Sequence, residues 1–186
     1  MAPSMHIDKS VHKNVFLVGP MGVGKTMIGK LLAQELSLTF VDSDQEIESR
    51  AGADISWIFD KEGEAGFRVR ECKMIEELTR KEGILLATGG GVILCEVNRQ
   101  HLRDRGVVVF LDMSLEVQME RIRNDRKRPL LQGVDTGTVL EEMKTLRDPL
   151  YRSVSNIRIF VDGLGSRKVV SDIIDAMSER GYLRSY

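Results

Sequence analysis

The chain has 186 residues, 42% hydrophobic and 30% charged, which fits a single globular domain with a sizeable core. Its net charge of −1 argues against a nucleic-acid or acidic-membrane partner, and no apolar run reaches membrane-spanning length. Two cysteines, Cys72 and Cys95, are too few for a disulfide framework and are expected as reduced packing thiols in a cytoplasmic protein.

Residues 1–12 contain no apolar stretch that would act as a signal and are expected to form a loose tail. "NVFLVG" (14–19) is a continuous apolar run, the pattern of a parallel strand covered on both faces. It leads into "GPMGVGKT" (19–26), which fits G-x-x-x-x-G-K-[ST] between a strand and a helix whose apolar face is Ile28, Leu31, Leu32 and Leu36. Glycines at this spacing let backbone N–H groups wrap a phosphate, and the helix start adds its positive end. Lys25 would reach the β- and γ-phosphates and the Thr26 hydroxyl would bind Mg²⁺. Gly22, Gly24, Lys25, Thr26 and the following Met27 are the expected nucleotide-binding set of a nucleoside triphosphate site.

A second strand, "LTFVD" (38–42), ends in Asp42, with Asp44 two residues on. If that stretch is extended, both carboxylates point the same way, and like charges sharing a site need a cation between them. A Mg²⁺ held by Thr26 would make Asp42 a metal-side ligand, acting through water, and leave Asp44 to orient or deprotonate an acceptor hydroxyl. The plainer alternative is a helix N-cap with acidic residues in its first turn. "EAGFRVRE" (64–71) then sets Arg68 near the front of a helix whose other side carries Phe67, Met74, Ile75 and Leu78.

The third run, "GILLAT" (83–88), is followed directly by Gly89, Gly90 and Gly91. Three glycines are either a flexible turn or a place where an acceptor or phosphate approaches the backbone closely. After "GVVVFLD" (106–112), the spacing of Leu115, Met119 and Ile122 predicts another helix. "RIRNDRKRPLL" (121–131) is basic but lacks interleaved aromatics, so a lid over a triphosphate, closing through Arg128, fits it better than a nucleic-acid patch. Leu140, Met143 and Leu146 predict a helix ending before "RDPLYR", with Arg147 just after it and ahead of Pro149. Arg68 and Arg147 are either solvated surface charges or a bidentate clamp for an acceptor carboxylate. "IRIFVD" (157–162) and a last helix with Val170, Ile173, Ile174 and Met177 complete the pattern. Strands alternating with helices predict an α/β three-layer sandwich with a parallel sheet and ligands at the strands' carboxyl ends.

Taken in order, "GPMGVGKT", "DSDQEIE", "GADISWIFDKEGEAGFR", "LATGGGV", "KRPLL" and "RDPLY" resemble shikimate kinase, of the nucleoside-monophosphate-kinase-like P-loop group, over nearly all of residues 13–178. The resemblance implies ATP-dependent phosphorylation of the 3-hydroxyl of shikimate, on the route to chorismate and aromatic amino acids. It implies one P-loop kinase domain over 1–186 with a five-stranded parallel sheet, an acceptor-binding helical region at about 44–80 and a lid at about 121–136. By residue, it implies Lys25, Asp44 and Arg128 as catalytic and Thr26 and Asp42 as the magnesium side. Asp44, Arg68, Gly89, Gly90, Gly91 and Arg147 would hold shikimate, and Arg121 would pack on adenine. Trp57 is expected mainly as a core residue of the acceptor region, and His6, His12 and His101 have no expected role. A monomer acting on small molecules is expected, without nucleic acid or membrane. A P-loop kinase for gluconate or a nucleoside monophosphate, or a nucleotide-binding module without transferase activity, are the alternatives.

Overall fold

The structure, a computed structural model, describes residues 13–123 and 135–183. Five strands form one parallel sheet: β1 (Asn14–Val18), β2 (Thr39–Asp42), β3 (Ile84–Ala87), β4 (Gly106–Asp112) and β5 (Ile157–Phe160). Each lies inside the apolar run expected for it. The reason is burial: β1, β3 and β4 are covered at every position, so neither face of these strands can carry solvated polar residues.

Along β1 the pleat sends Val15 and Leu17 to one side and Phe16 and Val18 to the other. The first side meets α1 (Lys25–Glu35) and α7 (Ser166–Glu179) through Leu32, Ile173 and Met177. The second meets α3 (Ile55–Leu78), α4 (Glu96–Arg105) and α6 (Thr136–Val154) through Ile75, Leu102 and Tyr151. Each fully buried Leu, Ile or Phe in these layers contributes about 1.5–3 kcal/mol of transfer free energy. Two further helices, α2 (Ser43–Ala51) and α5 (Leu115–Ile122), flank the strands' carboxyl ends.

Strand order is β2-β3-β1-β4-β5. Because β3 lies between β1 and β2, the segment following it is placed between the segments following the other two. The glycines at 89–91 therefore stand between the loop after β1 and the aspartate that ends β2, with Asp42 paired beside Ala87.

Three local expectations are corrected. First, α6 does not stop before Arg147 but runs through Pro149 to Val154, and its buried positions are Leu140, Arg147, Tyr151 and Val154. Leu146 is 61% exposed. Proline removes one helical hydrogen bond, and the packing of Tyr151 and Val154 beyond it holds the helix together. Second, Met119 of α5 faces outward while Gln118 is buried, because the Gln118 amide donates to Met21 O at 3.0 Å. Third, Trp57 is not a core residue: it is half exposed, on the first turn of α3. That helix is broken at Gly63 (φ 70°, ψ 179°), so Arg68 lies in the second turn of its longer segment. The tail (1–12), Arg128 and most of the lid segment (124–134) lie outside the described residues.

Candidate active site

The phosphate loop follows β1 directly. Gly24 caps α1 in the left-handed region (φ 97°), which a side-chain-bearing residue rarely adopts. A Cβ on Gly19 would overlap the Leu111 carbonyl of β4, so this glycine is also fixed by space. Lys25 Nζ lies over the loop, donating to Gly19 O at 2.7 Å and Pro20 O at 2.8 Å. One residue on, Thr26 Oγ1 donates to Asp42 Oδ2 at 2.7 Å, joining the start of α1 to the end of β2.

Asp42 caps a helix with one carboxylate oxygen and faces Thr26 with the other. Its Oδ1 accepts from Asp44 N at 3.0 Å and Gln45 N at 3.3 Å, which makes it the N-cap of α2, while Oδ2 faces Thr26. The stretch is thus not extended: Asp44 belongs to the first turn of the helix that Asp42 caps. Among the described residues no three His, Cys, Asp or Glu side chains cluster as a metal cage. The Thr26 hydroxyl and Asp42 carboxylate beside a phosphate loop suit Mg²⁺, which takes few protein ligands and completes its shell with phosphates and water.

Next to the loop is a cavity of about 500 Å³ lined by Met21, Asp44, Arg68, Glu71, Arg147 and the glycines at 89–91, among others. Asp44 is held against the glycine loop, where a Cβ on Gly89 would stand 2.7 Å from its Oδ1. That oxygen is buried and has no hydrogen-bond partner among the described residues. Burial, then the neighbouring Asp42 and Glu71 carboxylates, push the Asp44 pKa up to about 7, against the pull of Lys25. Ser43 Oγ accepts from Gly89 N at 3.0 Å and fastens α2 to the same loop.

Both arginines reach this cavity. Arg68 donates from Nη1 to Glu71 at 2.8 Å and from Nη2 to Glu64 at 3.0 Å, and its guanidinium lies where a Cβ on Gly91 would be. Arg147 is buried on the inner face of α6, and its Nε has no partner among the described residues. Both cations flank Glu71, which is buried with Oε1 unpartnered among the described residues; its pKa is raised by burial and held back by Arg68 and then Arg147. The cavity thus combines a carboxylate poised near neutrality with two guanidiniums. It suits an acceptor bearing both a hydroxyl and a carboxylate.

Sequence reasoning missed Glu71 and Tyr151. Glu71 lies three residues after Arg68 and Tyr151 four after Arg147, so each shares the inward helical face of an expected site arginine. Tyr151 donates its hydroxyl to Gly90 O. Trp57, Cys72 and Cys95 do not line the cavity, and the two cysteines are free thiols.

A second cavity, about 250 Å³, opens on the other side of the phosphate loop, between Gly24, Met27, Arg121, Leu164 and Ser166. Arg121 Nη1 donates to Gly22 O at 3.3 Å and Val23 O at 3.4 Å, which sets its guanidinium along the wall. Such a plane suits a nucleobase face. Leu164 and Ser166 had no motif to announce them: Leu164 comes from the turn between β5 and α7, and Ser166 from the first position of α7.

The family profile described as shikimate kinase matches residues 21–178. The shikimate kinases of Mannheimia succiniciproducens and Pasteurella multocida are 54% and 52% identical over 164 residues, covering 88% of this chain and 94% of theirs. The solved structure of shikimate kinase from Acinetobacter baumannii in complex with shikimate superposes with a TM-score of 0.88 at 44% identity, covering 90% of this chain and 94% of that one. With Lys25, Thr26, the carboxylate pair and the two arginines all inside the matched span, the chain belongs to the shikimate kinase family.

Proposed function

We propose that the chain transfers the γ-phosphoryl group of ATP to the 3-hydroxyl of shikimate, giving ADP and shikimate 3-phosphate. The observation that carries the residue assignment is that Asp44, Arg68 and Arg147 line one cavity beside the phosphate loop. Lys25 and the loop N–H groups hold the triphosphate, with the base in the cavity walled by Met27 and Arg121. Thr26 and Asp42 would hold Mg²⁺, which neutralises charge on the phosphates when bound. Arg68 and Arg147 grip the acceptor carboxylate, and the glycines at 89–91 let the ring approach the backbone. Asp44 accepts the proton of the 3-hydroxyl as its oxygen attacks phosphorus in line, and the bond from phosphorus to the ADP oxygen breaks. Arg128 is assigned the closing role on the transferring phosphate.

We assign the chain as a monomer and place it in the cytoplasm. No described helix is long and apolar enough to cross a membrane. The test is ADP release from Mg·ATP with shikimate, gluconate, a nucleoside monophosphate or no acceptor. Turnover with shikimate alone is expected. Comparable turnover with either other acceptor, or none with shikimate, refutes the proposal.

A further inference from the structure

The chain's two cysteines come from different helices and have no place in the mechanism above, yet they meet. Cys72 is on α3, directly after Glu71 and one turn beyond Arg68, and Cys95 is the N-cap residue of α4. Their thiols face each other through a side-chain hydrogen bond, and both are only partly covered. Asn98, fully buried on α4, stands against the Cys72 thiol. Its Nδ2 donates to Val92 O at 3.1 Å, while its Oδ1 has no partner among the described residues. Two thiols and an amide oxygen in want of a donor thus fill a contact that apolar side chains would fill at lower cost.

The two sulfurs are not equivalent. Burial raises the pKa of Cys72 far above the ordinary thiol value, and Cys95 and then Glu71 add to the rise. Burial acts on Cys95 too, but it is outweighed by the Cys72 thiol, the first N–H groups of α4 at Asn98 and Val97, and Arg99, which together lower its pKa. A thiolate held at a helix N-terminus is the attacking form in thiol–disulfide exchange. A second thiol in contact with it is placed to resolve the product.

We propose that Cys72 and Cys95 form a reversible dithiol–disulfide site, oxidised by a small-molecule disulfide, whose closure weakens use of the acceptor. The Cys95 thiolate attacks one sulfur of the small disulfide, a mixed disulfide forms, and the first small thiolate leaves. Cys72 then gives up its proton and its sulfur attacks Cys95, expelling the second. Two small thiols and one internal disulfide result, so the chain loses two electrons and two protons and the small disulfide gains them.

The effect on the acceptor rests on the cavity reading given above. Cys72 shares α3 with Arg68, and Cys95 follows the glycine loop after only the short turn Val92–Leu94. The Arg68 guanidinium already lies where a Cβ on Gly91 would be, so there is no slack between α3 and that loop. A covalent bond in place of a hydrogen bond draws the two segments together and moves Arg68 off its line with Gly91. A shift of about 1 Å in a positioning group can cost about 100-fold in rate.

The test treats the folded chain with oxidised glutathione and reads its intact mass. Loss of two hydrogens with no glutathione retained is expected, reversed by dithiothreitol. Thiols that stay reduced, or two retained glutathiones, overturn the proposal. Cys72→Ser should trap one glutathione on Cys95, and Cys95→Ser should react at least about tenfold more slowly than Cys72→Ser; the reverse order overturns Cys95 as the attacking sulfur. In the oxidised chain kcat/KM for shikimate should fall at least about tenfold while the KM for ATP stays within about twofold. Cys95→Ser, treated for the time the parent takes to oxidise, should keep both. An oxidised chain with unaltered kcat/KM overturns the link to the acceptor. Arg68→Lys tells the two readings apart: an unchanged shikimate Kd there means the cavity is not the acceptor site, whereas the disulfide is decided by mass alone.

Discussion

Asp44→Asn should make the protein more stable and nearly inactive, and the gain in stability should depend on pH in a defined way. Asp44 is buried beside Asp42 and Glu71 with one oxygen unpartnered among the described residues, and its pKa is raised from 3.8 to about 7. A raised folded-state pKa means the native protein holds this proton more tightly than the unfolded chain. Its contribution is fully favourable below about pH 3.8 and is lost as pH rises to about 7. At about 1.4 kcal/mol per pH unit, the interval corresponds to roughly 4 kcal/mol as an upper figure. Asparagine does not titrate, and its amide N–H groups can face the carboxylates around it.

The difference in unfolding free energy between Asp44→Asn and the parent should therefore grow between pH 4 and pH 8 by a few kcal/mol and level off above about pH 7. Urea unfolding without nucleotide or magnesium, across that range, measures it; contributions from groups that do not interact with Asp44 cancel in the difference. A constant difference across the range would refute the assignment of Asp44 as a destabilised carboxylate. The same substitution removes the proton acceptor, so turnover should fall by about 10- to 150-fold or more while ATP affinity stays nearly intact.

Four other outcomes are expected. The kcat/KM for shikimate should rise through about pH 7, as Asp44 of the free enzyme loses its proton, and flatten above it; a flat profile from pH 5 to 8 contradicts the base assignment. Asp42→Asn keeps a good N-cap, so unfolding free energy should change by less than about 0.5 kcal/mol while half-maximal activity needs more magnesium; an unchanged magnesium requirement leaves Asp42 as a cap only. Arg68→Lys should raise the KM for shikimate about tenfold or more and move the KM for ATP far less, because lysine lacks the planar fork. For Lys25→Ala, phosphoryl transfer should fall at least 10- to 150-fold, as steady-state ADP release reports, and full retention would remove the phosphate-cradle assignment.

The sheet and the phosphate loop were legible for one physical reason. A parallel strand covered on both faces cannot alternate, so its sequence is a plain apolar run, and the five runs correspond to β1–β5. The P-loop is equally local, since its glycines, Lys25 and Thr26 act within eight consecutive residues. What sequence did not disclose depends on segments meeting. Strand order puts the glycine loop between Asp44 and Met21, and no periodicity encodes strand order. The helix errors share a cause with the function. In α6 the inward face begins with Leu140 but continues through Arg147 and Tyr151, so the apolar spacing carried the expected stripe on to Leu146, which is exposed. In α5 a buried Gln118 hid the stripe in the same manner, and in α3 the buried Glu71 was unreadable as anything but a surface acid. Helix faces that line a polar site replace apolar residues with charges and hydroxyls, and that replacement erases the signal by which a buried face is recognised. A polar residue at core spacing, one turn from a suspected site residue, is therefore the place to look for further site residues: it is where Glu71 stands after Arg68, and Tyr151 after Arg147.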